Sequence, residues 1–181
     1  MVNFKQLLNT ADQARKDHRL EDGRKHLVDA VELCRQSGTR LDLAHALTRL
    51  GQIERDLRNS AAALAYYDEA AAIYRSGNDA LRLSHTVRHL GDIHREIGRS
   101  DLAQSCYSEA LLIYRSQQET PPLDLANALR GQAILKQELG ELAAARALWQ
   151  EAHDLYSAVN VPAGVAESSR QLARLADQPQ P

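Results

Sequence analysis

Leu81–Pro122 reads LRLSHTVRHLGDIHREIGRSDLAQSCYSEALLIYRSQQETPP, and its neighbours on either side repeat it. Leu41–Ala80 reads LDLAHALTRLGQIERDLRNSAAALAYYDEAAAIYRSGNDA, and Leu123–Gly164 reads LDLANALRGQAILKQELGELAAARALWQEAHDLYSAVNVPAG. Self-similarity at a period of about 40 residues is the mark of stacked helical hairpins, each too small to bury its own apolar face. Such stacks present a long surface to other molecules, which points away from an enzyme.

The register follows from one alanine. Ala30, Ala70, Ala110 and Ala152 are preceded by three residues by Leu27, Tyr67, Tyr107 and Trp149, and followed by four by Cys34, Tyr74, Tyr114 and Tyr156. Seven residues before them stand Gly23, Ala63, Ala103 and Ala145. Large and small side chains thus alternate on one helical face at i, i+4, i+7 and i+11. The first half of each unit carries its own small residue, Ala11, Gly51, Gly91 and Ala133. A glycine inside a helix costs about 1 kcal/mol against alanine, and close packing against the partner helix is the expected compensation.

The turn signals fall between these faces. Gly98 and Gly140 are expected to end first helices in the left-handed region, with Ser60 and Ser100 as N-caps of the second helices. The stretches 76–79, 120–122 and 160–162, carrying Gly, Asn, Asp or Pro, stop the units. The spacing predicts nine helices, near 3–17, 20–36, 40–57, 60–76, 80–97, 100–117, 122–139, 142–158 and 162–176. The ninth repeats a first helix without a second and reads as a solubilising cap. Residues 177–181 read as a frayed tail.

Composition fits this plan. Of 181 residues 44% are apolar but only 4% aromatic, so the core is built from Ala, Leu and Ile between close helices. The net charge of -2 gives no footprint for nucleic acid or an anionic membrane. No apolar run approaches the ~20 residues of a membrane span, and no signal-peptide pattern opens the chain; a cytoplasmic location is expected. Cys34 and Cys106 fall in different hairpins and are expected to remain unbridged thiols.

Small residues at the eighth and twentieth places, a large one at the twenty-fourth and alanine at the twenty-seventh resemble the tetratricopeptide repeat (TPR). In the clearest unit these are Gly91, Ala103, Tyr107 and Ala110. The period of 40–42 exceeds the family's usual 34 and is similar to the kinesin light chain type. The resemblance implies an all-α, right-handed superhelix: a single domain over 1–181 with repeats near 3–39, 40–79, 80–121 and 122–161, a capping helix at 162–176 and a tail.

The resemblance further implies that the first helices line a concave groove, met by ligands at their second, fifth, ninth and twelfth residues. The second place holds Lys5, His45, His85 and Asn127; the fifth Leu8, Thr48, Arg88 and Arg130. The ninth holds Asp12, Gln52, Asp92 and Ile134; the twelfth Arg15, Arg55, Arg95 and Gln137. The cap adds Glu167, Arg170 and Arg174. The two arginine rows suit carboxylates, so the expected partner is another protein, an acidic peptide or helix docking without chemistry. The competing reading is a solvated, salt-bridged face, because Asp56, Glu96 and Glu138 follow the twelfth residues. A homo-oligomeric scaffold and a sensor of a small peptide or metabolite are the alternatives. The paired asparagines of the family's chaperone-binding carboxylate clamp are absent.

No cofactor or metal is expected. His85 and His89 are spaced i, i+4, as two ligands of one ion would be, but no third ligand or HExxH pattern accompanies them. No P-loop, GxGxxG, CxxC or GxSxG occurs.

Overall fold

The computed structural model describes residues 3–177, and among these every regular element is an α-helix. They are α1 (Phe4–Lys16), α2 (Leu20–Ser37), α3 (Arg40–Asp56), α4 (Ser60–Ser76), α5 (Ala80–Glu96), α6 (Ser100–Ser116), α7 (Pro122–Glu138), α8 (Leu142–Ala158) and α9 (Pro162–Ala176). Each lies within two residues of the sequence-based expectation. The helices divide into two compact units, the described parts of Met1–Ile93 and of His94–Pro181, with the division inside α5.

The hairpin turns share one backbone device. His18, Arg58, Gly98 and Gly140 are left-handed, with φ of 58°, 65°, 75° and 75°. Each donates its N–H three residues back, and the next residue donates five back: Arg19 to Ala14, Asn59 to Glu54, Arg99 to His94 and Glu141 to Lys136, at 2.8–2.9 Å. This is the Schellman termination, which satisfies the last carbonyls of a helix. Glycine enters the left-handed region without steric cost, whereas His18 and Arg58 meet a Cβ clash there.

The serines after these turns are not caps. Ser60 and Ser100 are the first helical residues, and the caps are Asn59 and Arg99. Asn59 Oδ1 accepts from the Ala62 N–H at 3.4 Å, while Arg99 makes no side-chain cap. The hydrogen bond from five residues back already places the chain for the new helix one position earlier than serine chemistry alone suggests. Arg19 and Glu141 likewise begin α2 and α8 without a side-chain cap, and the conventional starts are at α1, α3, α7 and α9. Asn3 and Gln6 form a reciprocal capping box, Thr39 accepts from the Asp42 N–H, and Pro122 and Pro162 open α7 and α9.

The alternation of small and large side chains is the core. Tyr67, Tyr107 and Trp149 are fully buried, each between alanines of its own helix, Ala63/Ala70, Ala103/Ala110 and Ala145/Ala152. In the first unit Gly51 of α3 lies under the Tyr67 ring, where an added Cβ would stand 3.0 Å from Cε2. In the second unit the close approach is between hairpins: Gly131, in the first helix α7 of the next hairpin and two residues before the repeat's own small position Ala133, would set an added Cβ 2.6 Å from Tyr107 Cε1 of α6. Ion pairs between second helices flank the core: Arg35–Glu69 at 2.9 Å in the first unit and Arg115–Glu151 at 2.6 Å in the second.

The ninth helix is docked as a cap. Leu175 joins Ala133, Ala145 and Trp149 in one cluster, and Gly164 lies against the Tyr156 ring. Buried Ser168 donates to the Gly164 carbonyl at 2.7 Å and contacts His153 Nδ1 at 3.0 Å. Neither Cys34 nor Cys106 is bridged in a disulfide. Among the described residues no helix is long and apolar enough to cross a membrane.

Two stability predictions follow from turn and core. Gly98 has nothing within 4 Å of an added Cβ, so Gly98→Ala tests backbone conformation alone and should cost about 1 kcal/mol, while Arg58→Gly should stabilise by a few tenths. Trp149→Ala should cost about 3–5 kcal/mol. Urea unfolding of the three variants measures all of this; a neutral Gly98→Ala would contradict the turn assignment.

Candidate functional site

The groove positions divide between the two units, and each unit holds its own constellation. In the first unit α5 carries Ser84, Thr86, Arg88, His89 and Asp92 as buried polar residues. Helix α5 is therefore polar inside, and its charged side chains must find partners on α3 and α4.

They do so around one carboxylate. Asp92 Oδ2 accepts from Arg88 Nη1 at 3.0 Å, one helical turn away, and from Arg55 Nη1 of α3 at 3.1 Å. The second nitrogen of the Arg88 fork, Nη2, lies 2.8 Å from His89 Nε2. Arginine only donates, so His89 Nε2 is the acceptor, and a neutral His89 carries its proton on Nδ1. That nitrogen faces Asp92 Oδ2 at 3.6 Å. Arg55 Nη1, 3.4 Å from the same nitrogen, is held by Asp92 instead.

The imidazole of His89 is sandwiched. The Tyr67 ring of α4 stacks on it with centroids 5.3 Å apart and planes 10° apart. His85 stands edge-on at 4.7 Å, and the two Nε2 atoms are 3.2 Å apart. Burial, then the charges of Arg88, neighbouring His85, Arg55 and Arg15, hold the His89 imidazole well below its ordinary range. Burial likewise pushes the Tyr67 phenol up. Two buried polar atoms of this nest lack a hydrogen-bond partner, Arg88 Nε and the Tyr67 hydroxyl.

The other predicted positions of the first unit are structural or peripheral. Arg15 pairs with Asp56 at 2.6 Å. Thr48 donates back to the Ala44 carbonyl at 2.8 Å. His45 accepts from Arg49 Nε at 3.1 Å, and Arg49 also pairs with Asp12. Burial, followed by the charges of Arg49 and Arg82, lowers the His45 pKa. Gln52 is half-buried and Lys5 exposed.

In the second unit the arginines are committed to repeat contacts. Arg130 grips Glu167 of α9 with two hydrogen bonds of 2.7 Å, and Arg95 donates to Glu138 at 2.8 Å. Asn127 accepts from the Tyr156 hydroxyl at 2.8 Å. Gln137 accepts from the Trp149 indole at 2.5 Å and donates to Gln171 at 3.2 Å. Arg170 and Arg174 are exposed on α9. The stripe read from sequence is thus largely a set of links between first helices. Arg15, Arg55, Arg95 and Arg130 each pair with an acid of a neighbouring first helix.

Of the predicted residues, Arg55, His85, Arg88 and Asp92 come together. The sequence reading missed His89 and Tyr67 as members of that set. Position 89 follows the fifth place of the repeat and is not a groove position. The signal available was its spacing from His85 and its adjacency to Arg88. Among the described residues no group of three or more His, Cys, Asp or Glu side chains could hold a metal ion.

Comparison with known proteins agrees with this architecture. The sequence profile of the tetratricopeptide repeat matches residues 6–76, 43–116 and 79–158 in overlapping blocks, and the chain belongs to that family. Proteins of the family generally mediate protein–protein contacts without catalysing reactions, and no enzyme family is indicated. No curated protein matches the sequence. The fold is similar to BtubC (BKLC) from P. vanneervenii, at a TM-score of 0.78 and 20% identity over 87% of this chain and 65% of that one. It is also similar to the nearly identical TPR-like repeats attributed to a kinesin light chain of Podosopora anserina, with a TM-score of 0.76, 13% identity and coverage of 97% and 87%. A third similar structure is the signal transduction ATPase with numerous domains PH0952 from Pyrococcus horikoshii, which has a tetratricopeptide repeat sensor; there the TM-score is 0.81, the identity 16% and the coverage 93% and 26%. The chain thus spans 65% of the BtubC chain and about a quarter of PH0952.

The neutral histidine sets a pH dependence. Below about pH 6.5 the unfolded chain binds a proton at this residue that the native state refuses. Stability is therefore full above that pH and falls as pH drops, by at most ~1.4 kcal/mol per pH unit for one group. Urea unfolding between pH 7.5 and 5.5 should show this decline. His89→Gln, which keeps an acceptor for Arg88 but cannot titrate, should flatten it. A slope unchanged in the variant would contradict the neutral assignment.

Proposed function

We propose that the protein is a docking module that holds an acidic segment of another protein on the first-helix face of its first unit, around Arg88. One observation carries this reading. Two guanidinium groups, Arg55 and Arg88, share a single carboxylate oxygen, and Arg88 Nε is buried without an acceptor. A buried arginine with an unused donor is costly to leave unpaired, and a carboxylate is the group whose geometry fits its planar fork.

The other first-helix positions of the first unit support positioning rather than affinity: Arg15, paired with Asp56, and Thr48, bonded to its own helix, offer a partner polar contacts at little net charge. Docking would place a partner's acidic side chain at the nest and use the exposed residues of the first helices for discrimination.

Binding of fluorescently labelled hexaglutamate, hexaglutamine and hexalysine, followed by anisotropy at pH 7.0, tests the reading. Hexaglutamate should bind best, and Arg88→Gln should weaken it by about tenfold or more, the loss of one charge-assisted hydrogen bond. Equal affinity for the three peptides would overturn it.

A further inference from the structure

Two hairpin turns of the second unit share one backbone and carry opposite charge. Glu96-Ile97-Gly98-Arg99 leads from α5 to α6, and Glu138-Leu139-Gly140-Glu141 leads from α7 to α8. Gly98 and Gly140 both have φ of 75°, and Arg99 and Glu141 donate their N–H five residues back at 2.8 and 2.9 Å. The turns are neighbours. Arg95, just before the first, donates to Glu138, at the start of the second, at 2.8 Å. Each turn gives one large apolar side chain to solvent: Ile97 is 39% exposed and Leu139 45%, with Leu102 of the first turn of α6 at 47%. An added Cβ on either glycine would meet nothing within 4 Å, so both turns are open above the backbone. The first unit is built differently at the same places. Its left-handed residues are His18 and Arg58, which carry long side chains there, and they are preceded by exposed Asp17 and half-buried Leu57.

We propose that this edge of the second unit is a homodimer interface, in which a two-fold axis lays the α5–α6 turn of one copy on the α7–α8 turn of the other. The occupant is a second copy because the patch matches itself, as a two-fold contact requires. Ile97 meets Leu139 of the other copy, and Arg99 meets Glu141 of the other copy, each pair occurring twice. Both charged residues are available for this. Arg99 is exposed and makes no side-chain cap, and Glu141 is exposed, with its carboxylate beside Lys136 at 2.7 Å. The apolar contacts supply the attraction and the ion pairs at the rim fix the register. Two turns from each copy bury less than the ~1,200 Å² that separates transient from stable association, so the dimer is weak and concentration-dependent. All of these residues belong to the second unit and none is in the Arg88 nest, so the inference stands independently of the docking role.

Sedimentation velocity from micromolar to near-millimolar protein tests it. Monomer should pass to dimer and to nothing larger, since a two-fold contact closes. Leu139→Glu should weaken association by about tenfold or more, because it sets a charge against Ile97. Arg99→Glu and Glu141→Arg should each weaken it, and the double variant, which exchanges the two charges, should restore it to within about twofold of the wild type. These are exposed turn positions, and circular dichroism checks that each variant keeps the helical content of the parent. Hexaglutamate binding should be unchanged in Leu139→Glu. A monomer at every concentration, a dimer indifferent to Leu139→Glu, or a double variant no better than the single ones would overturn the proposal.

Discussion

Everything in this chain depends on one steric constraint: an aromatic ring must lie flat on a residue with almost no side chain. Tyr67 over Gly51 and Tyr107 over Gly131 set how closely first and second helices approach. At that separation the alanines beside each ring are fully buried, and the apolar area removed from water offsets the cost of glycine within a helix. Closer helices also bring the long side chains of successive first helices within ion-pair distance. The Arg55–Asp92 and Arg130–Glu167 contacts are consequences of that spacing.

The same constraint explains why the polar nest is buried. Tyr67 contacts Gly51 with its ring and stacks on His89. One residue thus closes the hairpin and roofs the imidazole. With Tyr67 covering it, His89 cannot be solvated in its charged form, and Arg88 takes its lone pair. A feature of the core thereby determines the protonation of a surface-lining cluster. Core and site are coupled through one side chain, which is how a repeat fold of uniform construction can carry one unusual unit.

The fold was legible in the sequence because it is written several times. The ladder Ala63–Tyr67–Ala70, repeated at Ala103–Tyr107–Ala110, fixes helix phase without any tertiary knowledge, and Gly98 and Gly140 mark the turns. The turns at His18 and Arg58 were harder to read, since the left-handed residue there is not glycine and only alignment with positions 98 and 140 gives it away. The caps at Asn59 and Arg99 were misplaced by one residue because the backbone hydrogen bonds of the turn outweigh serine's preference for that position.

The site was legible only in outline. Position within the repeat marks Arg55, His85, Arg88 and Asp92 as facing one way, but charge pairing between helices depends on distances that one helix cannot supply. Arg15 and Arg95 looked equivalent to Arg55, yet they meet Asp56 and Glu138, at the thirteenth place, where Arg55 meets Asp92, at the ninth. That difference gathers two arginines on one carboxylate and leaves His89 to accept from Arg88. The most direct measurement is the protonation state of that imidazole by nitrogen-15 NMR of histidine-labelled protein. The account predicts a neutral ring with its proton on Nδ1 at about pH 6.5, where a free imidazole would be half protonated. A ring protonated on Nε2, or an imidazolium already formed at pH 6.5, would contradict it.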